Sequence, residues 1–236
     1  MTDHIGQYRG NLRYAVDIVM CIDATGSMGP VLEEVKSSAL SFPGRLKEEM
    51  AQKRKAISQL RLKVIAFRDF ADFADDALEE SEFFTMPGEL DKFESFVRGL
   101  TPEGGGDVPE SGLEALALAL RAPWERGLDR RRHVIVLFTD APAHPLGDPK
   151  ARAAHTYPAG LPLDGDTLLE EWGYARSRQA LMENSAKRLV LFAPDETPWK
   201  NIADEWNMTI LFPSVAGQGL EEVEMSEIIN TIAHSI

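Results

Sequence analysis

The sequence predicts an α/β protein with a doubly wound, mostly parallel, Rossmann-like sheet and helices on both faces. Three observations carry that prediction. Apolar runs such as Val16–Ile22 (VDIVMCI) and His133–Phe138 (HVIVLF) are nearly continuous rather than alternating, as strands buried on both faces require. Between such runs stand segments whose apolar residues recur at helical spacing. The two patterns alternate through 236 residues with no internal repeat and no shift of composition, so one domain over 1–236 is expected.

The first strand, Val16–Ile22, runs into Asp23-Ala24-Thr25-Gly26-Ser27, and Pro30 then suits the first turn of a helix. That helix is expected to reach about Lys55 on Val31, Val35, Ala39, Leu46 and Met50, with a kink or break at Pro43-Gly44. Leu60–Phe67 is the second strand and leads into Arg68-Asp69-Phe70. A short strand is expected at about Glu82–Thr85, and then a helix over Pro87–Leu100. Thr101 to Asp107, with three consecutive glycines, is a loop, and helical spacing resumes from Pro109 with Leu113, Leu116, Ala117 and Leu120. The strand His133–Phe138 ends at Thr139-Asp140. A long loop follows over 141–166, rich in Pro and Gly, and loops of such length are often functional. The remaining elements are a helix from Leu168 to about Lys187, a strand at Leu189–Ala193, a helix at Pro198–Trp206, a strand at Met208–Phe212 and a last helix from about Leu220 to His234.

Composition narrows the functional classes. A net charge of −13 argues against nucleic acid as a partner, because phosphate contacts need a basic face. Arg130-Arg131-Arg132 reads as a solvated strand start. No apolar run approaches the ~20 residues of a membrane span, and Met1-Thr2-Asp3-His4 lacks a signal-peptide pattern. The single cysteine, Cys21, lies inside a strand run and fits a reduced, cytoplasmic setting.

In open α/β sheets, ligands bind beyond the carboxyl ends of the strands. Four segments deliver side chains there: Asp23, Thr25 and Ser27; Arg68 and Asp69; Asp107, Glu110 and Ser111; Thr139 and Asp140. Carboxylates gathered at one edge repel unless a cation joins them. Oxygen donors of this kind suit a hard divalent ion, Mg2+ first and Mn2+ or Ca2+ as alternatives. The competing reading is that Thr25 and Ser27 merely cap the following helix, and that the glycines form a simple turn.

Asp23-x-Thr25-x-Ser27 after a buried strand resembles the first motif of the von Willebrand factor A family, and Asp140 matches the family's later aspartate. The resemblance implies a metal-ion-dependent adhesion site held by Asp23, Thr25, Ser27 and Asp140. The middle motif, Gly105-Gly106-Asp107-Val108-Pro109-Glu110, lacks the usual Thr and is similar to the Asp-x-Pro-Glu segment of integrin β subunits. That likeness implies Glu110 as a ligand and Asp107 as the next candidate. Ala66-Phe67-Arg68-Asp69 resembles an integrin β segment as well, so a second cation between Asp69, Asp107 and Glu110 stands beside a plainer role for Asp69. The plainer role is a salt bridge to Arg68 or an indirect hydrogen bond.

The function so implied is a metal-dependent protein-binding module rather than an enzyme. A partner protein would supply an acidic side chain to an open metal position, within an intracellular assembly such as one built on an AAA-type ATPase. Three carboxylates, Asp23, Glu110 and Asp140, would leave a dication site negative, so metal binding should depend less on the partner's carboxylate than in sites with two. The alternative is a Mg2+-dependent phosphatase-like hydrolase using Asp23, weakened because Thr25 stands where a general acid is needed. His144 is either a surface residue or a contact to a partner or metal-bound water. Trp124, Trp172, Trp199 and Trp206 are expected to be packing residues.

Overall fold

The computed structural model describes residues 12–72, 76–104, 109–126, 130–173, 180–214, 230, 231 and 233. Within them, the strands β1 (Leu12–Asp23), β2 (Lys55–Phe67), β5 (Arg131–Phe138), β6 (Lys187–Pro194) and β7 (Thr209–Ser214) form a parallel sheet. Two short strands, β3 (Leu78–Glu80) and β4 (Phe84–Met86), pair antiparallel with β2. The order across the sheet is β3-β2-β1-β5-β6-β7. The mostly parallel, doubly wound fold expected from the sequence is therefore present.

Alternation along β1 sorts the core into two layers. Val16, Ile18, Met20 and Ile22 pack with Leu32, Ala39, Phe42, Leu46 and Met50 of α1 (Gly29–Gln52) and with Phe93 and Val97 of α2 (Leu90–Gly99). Val19 and Cys21 face the other way, onto α3 (Gly112–Leu120), α5 (Gly165–Trp172) and α6 (Trp199–Glu205). A smaller cluster joins Phe70 and Ala77 to Ala151 of α4 (Pro149–Ala153).

Several boundaries differ from the sequence reading. The α1 helix runs unbroken across Pro43. Losing one helical hydrogen bond at a proline costs about 3 kcal/mol, whereas Phe42, Leu46 and Met50 are each buried along the same side of the helix, at about 1.5–3 kcal/mol per side chain. The side chains of Val31 and Val35 lie outside the described residues. The single short strand expected at 82–85 is replaced by two, β3 and β4. The helix expected over 168–187 ends at Trp172, because Gly173 takes the left-handed conformation (φ 85°) and its amide caps the last turn. Lys187 opens β6 instead. The loop 141–166 is not structureless: it carries α4, capped by Asp148, and opens with a bridge between Ala143 and Glu110. The last helix expected at 220–234 falls almost wholly outside the described residues. No described helix is long and apolar enough to cross a membrane.

Candidate metal centre

Asp23 is the last residue of β1 and is fully buried. The chain turns immediately after it. Ala24 N donates to Phe67 O of β2 at 2.9 Å, and Gly26 N donates to Gly104 O at 2.8 Å. Gly26 has to be glycine here, since a Cβ would stand 2.5 Å from that carbonyl oxygen. The turn thereby presents its hydroxyls to the carboxylates. Thr25 Oγ1 and Thr25 N donate to Asp23 Oδ1 at 2.6 and 2.9 Å, and Ser27 Oγ donates to Asp140 Oδ1 at 3.0 Å. Thr25 and Ser27 stand 3.3 Å apart, oxygen to oxygen. Neither caps a helix with its side chain, so the capping alternative does not describe them.

Asp140 follows β5 and is fully buried. Its neighbour Thr139 donates to Asp23 Oδ2 at 2.6 Å and accepts from Ala141 N at 3.1 Å. Asp23, Thr25, Ser27, Thr139 and Asp140 thus form one hydrogen-bonded chain across the ends of two adjacent strands. Burial raises the Asp23 carboxyl to about 6, with hydrogen bonds from Thr139 and Thr25 opposing and the charge of Asp140 adding to the rise.

Glu110 stands just before α3, tied by its backbone to the turn after Asp140: its N–H donates to Pro142 O at 3.0 Å, and His144 N donates to its carbonyl at 2.9 Å. Its side chain is buried, and Oε2 has no hydrogen-bond partner among the described residues. Burial raises its carboxyl to about 9, and the charges of Asp23, Asp69, Asp140 and Asp72 add to the rise. A neighbouring group centres on Asp69, also buried. Its Oδ1 accepts from Ser111 Oγ and from Ala71 N, each at 3.1 Å, and its Oδ2 lies 3.5 Å from His144 Nε2. Ser111 Oγ in turn accepts from Phe70 N at 3.1 Å.

The salt bridge suggested between Asp69 and Arg68 is absent. Arg68 turns away, to Glu79 at 3.0 Å and to the carbonyls of Asp76 and Thr101. His144 belongs to the Asp69 group rather than to the open surface. Asp107 and the glycines at 105 and 106 lie outside the described residues, so neither Asp107 as a ligand nor a second cation next to it is addressed by the geometry. Among the described residues, no three His, Cys, Asp or Glu side chains converge closely enough to hold an ion by themselves. The cluster that does form is mixed: carboxylates interleaved with hydroxyls.

Thr139 and Ser111 were recognisable from their place at the strand and helix ends. Their bonds to Asp23 and Asp69 were not, because those depend on which way each carboxylate turns. Trp199 was not foreseen at the site. Its Nε1 donates to Ala141 O at 2.8 Å, and no short motif marks such a contact.

Fold and site define an α/β domain whose sheet edge carries a buried cluster of acids and hydroxyls at the ligand-binding position of the class. A family model described as von Willebrand factor A domain matches residues 17–147, more than half of the chain, and the chain belongs to that family. It is 29% identical over 147 residues to the alpha-protein kinase vwkA of Dictyostelium discoideum, a match covering 62% of this chain and 21% of the kinase. The chain therefore spans about a fifth of that relative's length. Among solved structures it is similar to the pilus adhesin SpaC of Lactobacillus rhamnosus GG in its open conformation, with TM-score 0.51 and 12% identity over 97% of this chain and 30% of the adhesin. It is also similar to proximal thread matrix protein 1 of the mussel byssus, with TM-score 0.50 and 10% identity over 94% of this chain and 47% of that one. At those identities the likeness is one of fold.

Proposed function

We propose that this domain is a divalent-cation-dependent protein-binding module. A Mg2+ ion, or Mn2+ or Ca2+ in its place, would be held among Asp23, Thr25, Ser27, Glu110 and Asp140, and would accept an acidic side chain of a partner protein. The observation that carries this reading is Glu110: a buried carboxyl with an unpartnered oxygen, raised to about 9 by burial and by the carboxylates around it. The charges that act on it are those of acids, and a bound dication would reverse that field. The donor set fits such an ion. All its atoms are oxygens, which suits a hard cation. Thr25 and Ser27 direct their protons at Asp23 and Asp140 and so keep lone pairs to offer.

With three carboxylates the site stays negative after binding a dication, so the ion should bind before any partner does. Asp69, whose Oδ1 already takes two hydrogen bonds, fits better as the group that orients Ser111 and the 69–71 turn than as a ligand of a second ion. Hydrolysis by Asp23 fits poorly, because both of its oxygens accept hydroxyl protons and Thr25 offers no acid beside it. The Dictyostelium relative carries the matching stretch as 21% of a longer chain, which supports reading the domain as the recognition part of a larger assembly.

The test is a calorimetric titration of the chain with Mn2+ and Mg2+, followed by affinity capture with and without chelator. Wild type should bind the ion alone, Asp23→Ala should not, and captured partner should be lost with chelator. Negligible affinity of the wild type for either ion would sink the reading.

A further inference from the structure

Trp199, the first residue of α6, is among the largest fully buried side chains of the domain. Its ring lies where three arms of the acidic edge meet. A Cβ on Gly112, two residues after Glu110, would stand 2.8 Å from its Cζ2 and 3.0 Å from its Cη2. The same Cβ would stand 3.4 Å from the ring of Phe67, the residue that ends β2 ahead of Arg68 and Asp69. Its indole N–H donates at 2.8 Å to the carbonyl of Ala141, the residue after Asp140. The other three tryptophans make other contacts. Trp124 donates to Ala119 O and Leu120 O, Trp172 donates to Asn207, and Trp206 stacks on Trp172 at 5.4 Å.

We infer that Trp199 is a positioning residue for the acidic cluster, clamping the turn after Asp140 onto the segment that carries Glu110. The ring fills the space that a side chain at residue 112 would take, and the N–H fixes the turn after Asp140. Between the two, the Glu110–Ala143 bridge closes the joint through two backbone hydrogen bonds, Glu110 N to Pro142 O and His144 N to Glu110 O. Both carboxylates then hold their relative places without a direct bond between them. The consequence for metal affinity rests on the cation reading above; the clamp itself does not.

The experiment compares wild type, Trp199→Phe and Trp172→Phe as full chains. Phenylalanine keeps most of the ring and removes the N–H; the second variant makes the same change far from the edge. In chelator, the amides of Glu110 and His144 should exchange with deuterium about three- to tenfold faster in Trp199→Phe, the effect of one lost hydrogen bond. Amides of the β1–β5 ladder should not change, and Trp172→Phe should leave the Glu110 and His144 amides at the wild-type rate. Mn2+ should bind Trp199→Phe about three- to tenfold more weakly and Trp172→Phe as wild type does. Wild-type exchange in Trp199→Phe, equal acceleration in Trp172→Phe, or faster exchange with unchanged Mn2+ affinity would each overturn the inference. If wild type binds no Mn2+, the cation reading fails, and the exchange rates alone still decide the clamp. Should Trp199→Phe not fold, Gly112→Ala displaces the ring while keeping the N–H and carries the same expectations.

Discussion

Strand β1 buries one aspartate at its middle and another at its end, and the fold treats the two oppositely. Asp17 and Asp23 are six residues apart, about 20 Å along an extended chain, and both are almost wholly out of solvent. Asp17 meets the Arg61 guanidinium in a two-pronged pair, with a third hydrogen bond from Glu125 N at 2.8 Å. Arg61 is itself held over the Phe83 ring at 4.5 Å. Asp23 meets hydroxyls and an amide; the charge of Asp140 adds to the rise of its carboxyl, and the charges of Asp23 and Asp140 add to that of Glu110. Arg68, beside Asp69, is committed to Glu79 and two carbonyls. The chain supplies a counter-charge to a buried carboxylate at mid-strand. At the strand's end it gathers acids with hydroxyls, and the counter-charge proposed above for Glu110 is a bound cation.

The largest expected effect lies at the paired aspartate. Asp17→Ala leaves the Arg61 guanidinium without its partner and should destabilise the domain by about 3 kcal/mol, the low end for a broken buried pair because Arg61 keeps some solvent. Urea unfolding should show the midpoint falling with an unchanged slope. A loss below about 1 kcal/mol would mean that the two aspartates are not held so differently.

At Glu110, in the acid cluster beyond the strand's end, the sign should reverse. Glu110→Gln removes a carboxyl that burial and like charges disfavour, so the metal-free variant should be no less stable than wild type at neutral pH. The pH dependence makes the contrast sharper. The folded-state value of about 9 lies above the ordinary 4.5. Between those values the folded chain binds the extra proton, so wild-type stability should fall as pH rises through that window. The slope approaches about 1.4 kcal/mol per pH unit where the carboxyl is protonated only in the folded chain. Glu110→Gln should flatten the slope, and saturating Mg2+ should flatten it in wild type. Thermal melts between pH 5 and 9, with and without Mg2+, check all three. An unchanged slope in Glu110→Gln would place the proton elsewhere.

How much of this was legible beforehand follows from the reach of each interaction. The parallel core strands announced themselves, because burial on both faces writes itself into consecutive residues such as Val134 to Phe138. The three-residue strands β3 and β4 did not, since so few residues cannot show a period. Helix α1 crosses Pro43 because burial of Phe42 and Leu46, a tertiary effect, outweighs a local rule. Helix α5 stops at Gly173 by a local rule that the apolar spacing beyond it concealed. The gathering of Asp23, Thr25, Ser27, Glu110 and Asp140 at one edge followed from the strand order, because a parallel sheet must present its strand ends together. Which hydroxyl meets which carboxylate was hidden, being fixed by side-chain torsions. The link from Trp199 to Ala141 was hidden for another reason: it spans 58 residues with no motif at either end.

The smallest effect is expected at a buried cation on the paired side of the comparison. Lys187 is fully buried and answered by dipoles rather than by a charge: its Nζ donates to Trp172 O at 2.7 Å and to Gly173 O at 2.8 Å, and lies 4.5 Å from the Trp172 ring. Those carbonyls end helix α5, where the helix dipole favours a positive group. Burial nonetheless lowers the ammonium to about 8 from 10.5. Lys187→Met should then produce two opposed changes near neutral pH. Two carbonyls lose their donor, at about 1–3 kcal/mol, while the disfavour of burying the charge disappears, leaving a net change on the order of 1 kcal/mol or less. The pH signature is clearer than the magnitude. Between about 8 and 10.5 the unfolded chain binds the extra proton, so this lysine makes wild-type stability rise with pH there, and Lys187→Met should remove that rise. The direction is opposite to the one expected from Glu110. If chemical unfolding at pH 8 and pH 10 shows the same increment in variant and wild type, the carbonyls compensate the buried ammonium fully, and dipoles alone suffice on this side of the sheet. Hydroxyl dipoles around Asp23 would then have to be granted the same capacity, and the need for an external cation would rest on Glu110 alone.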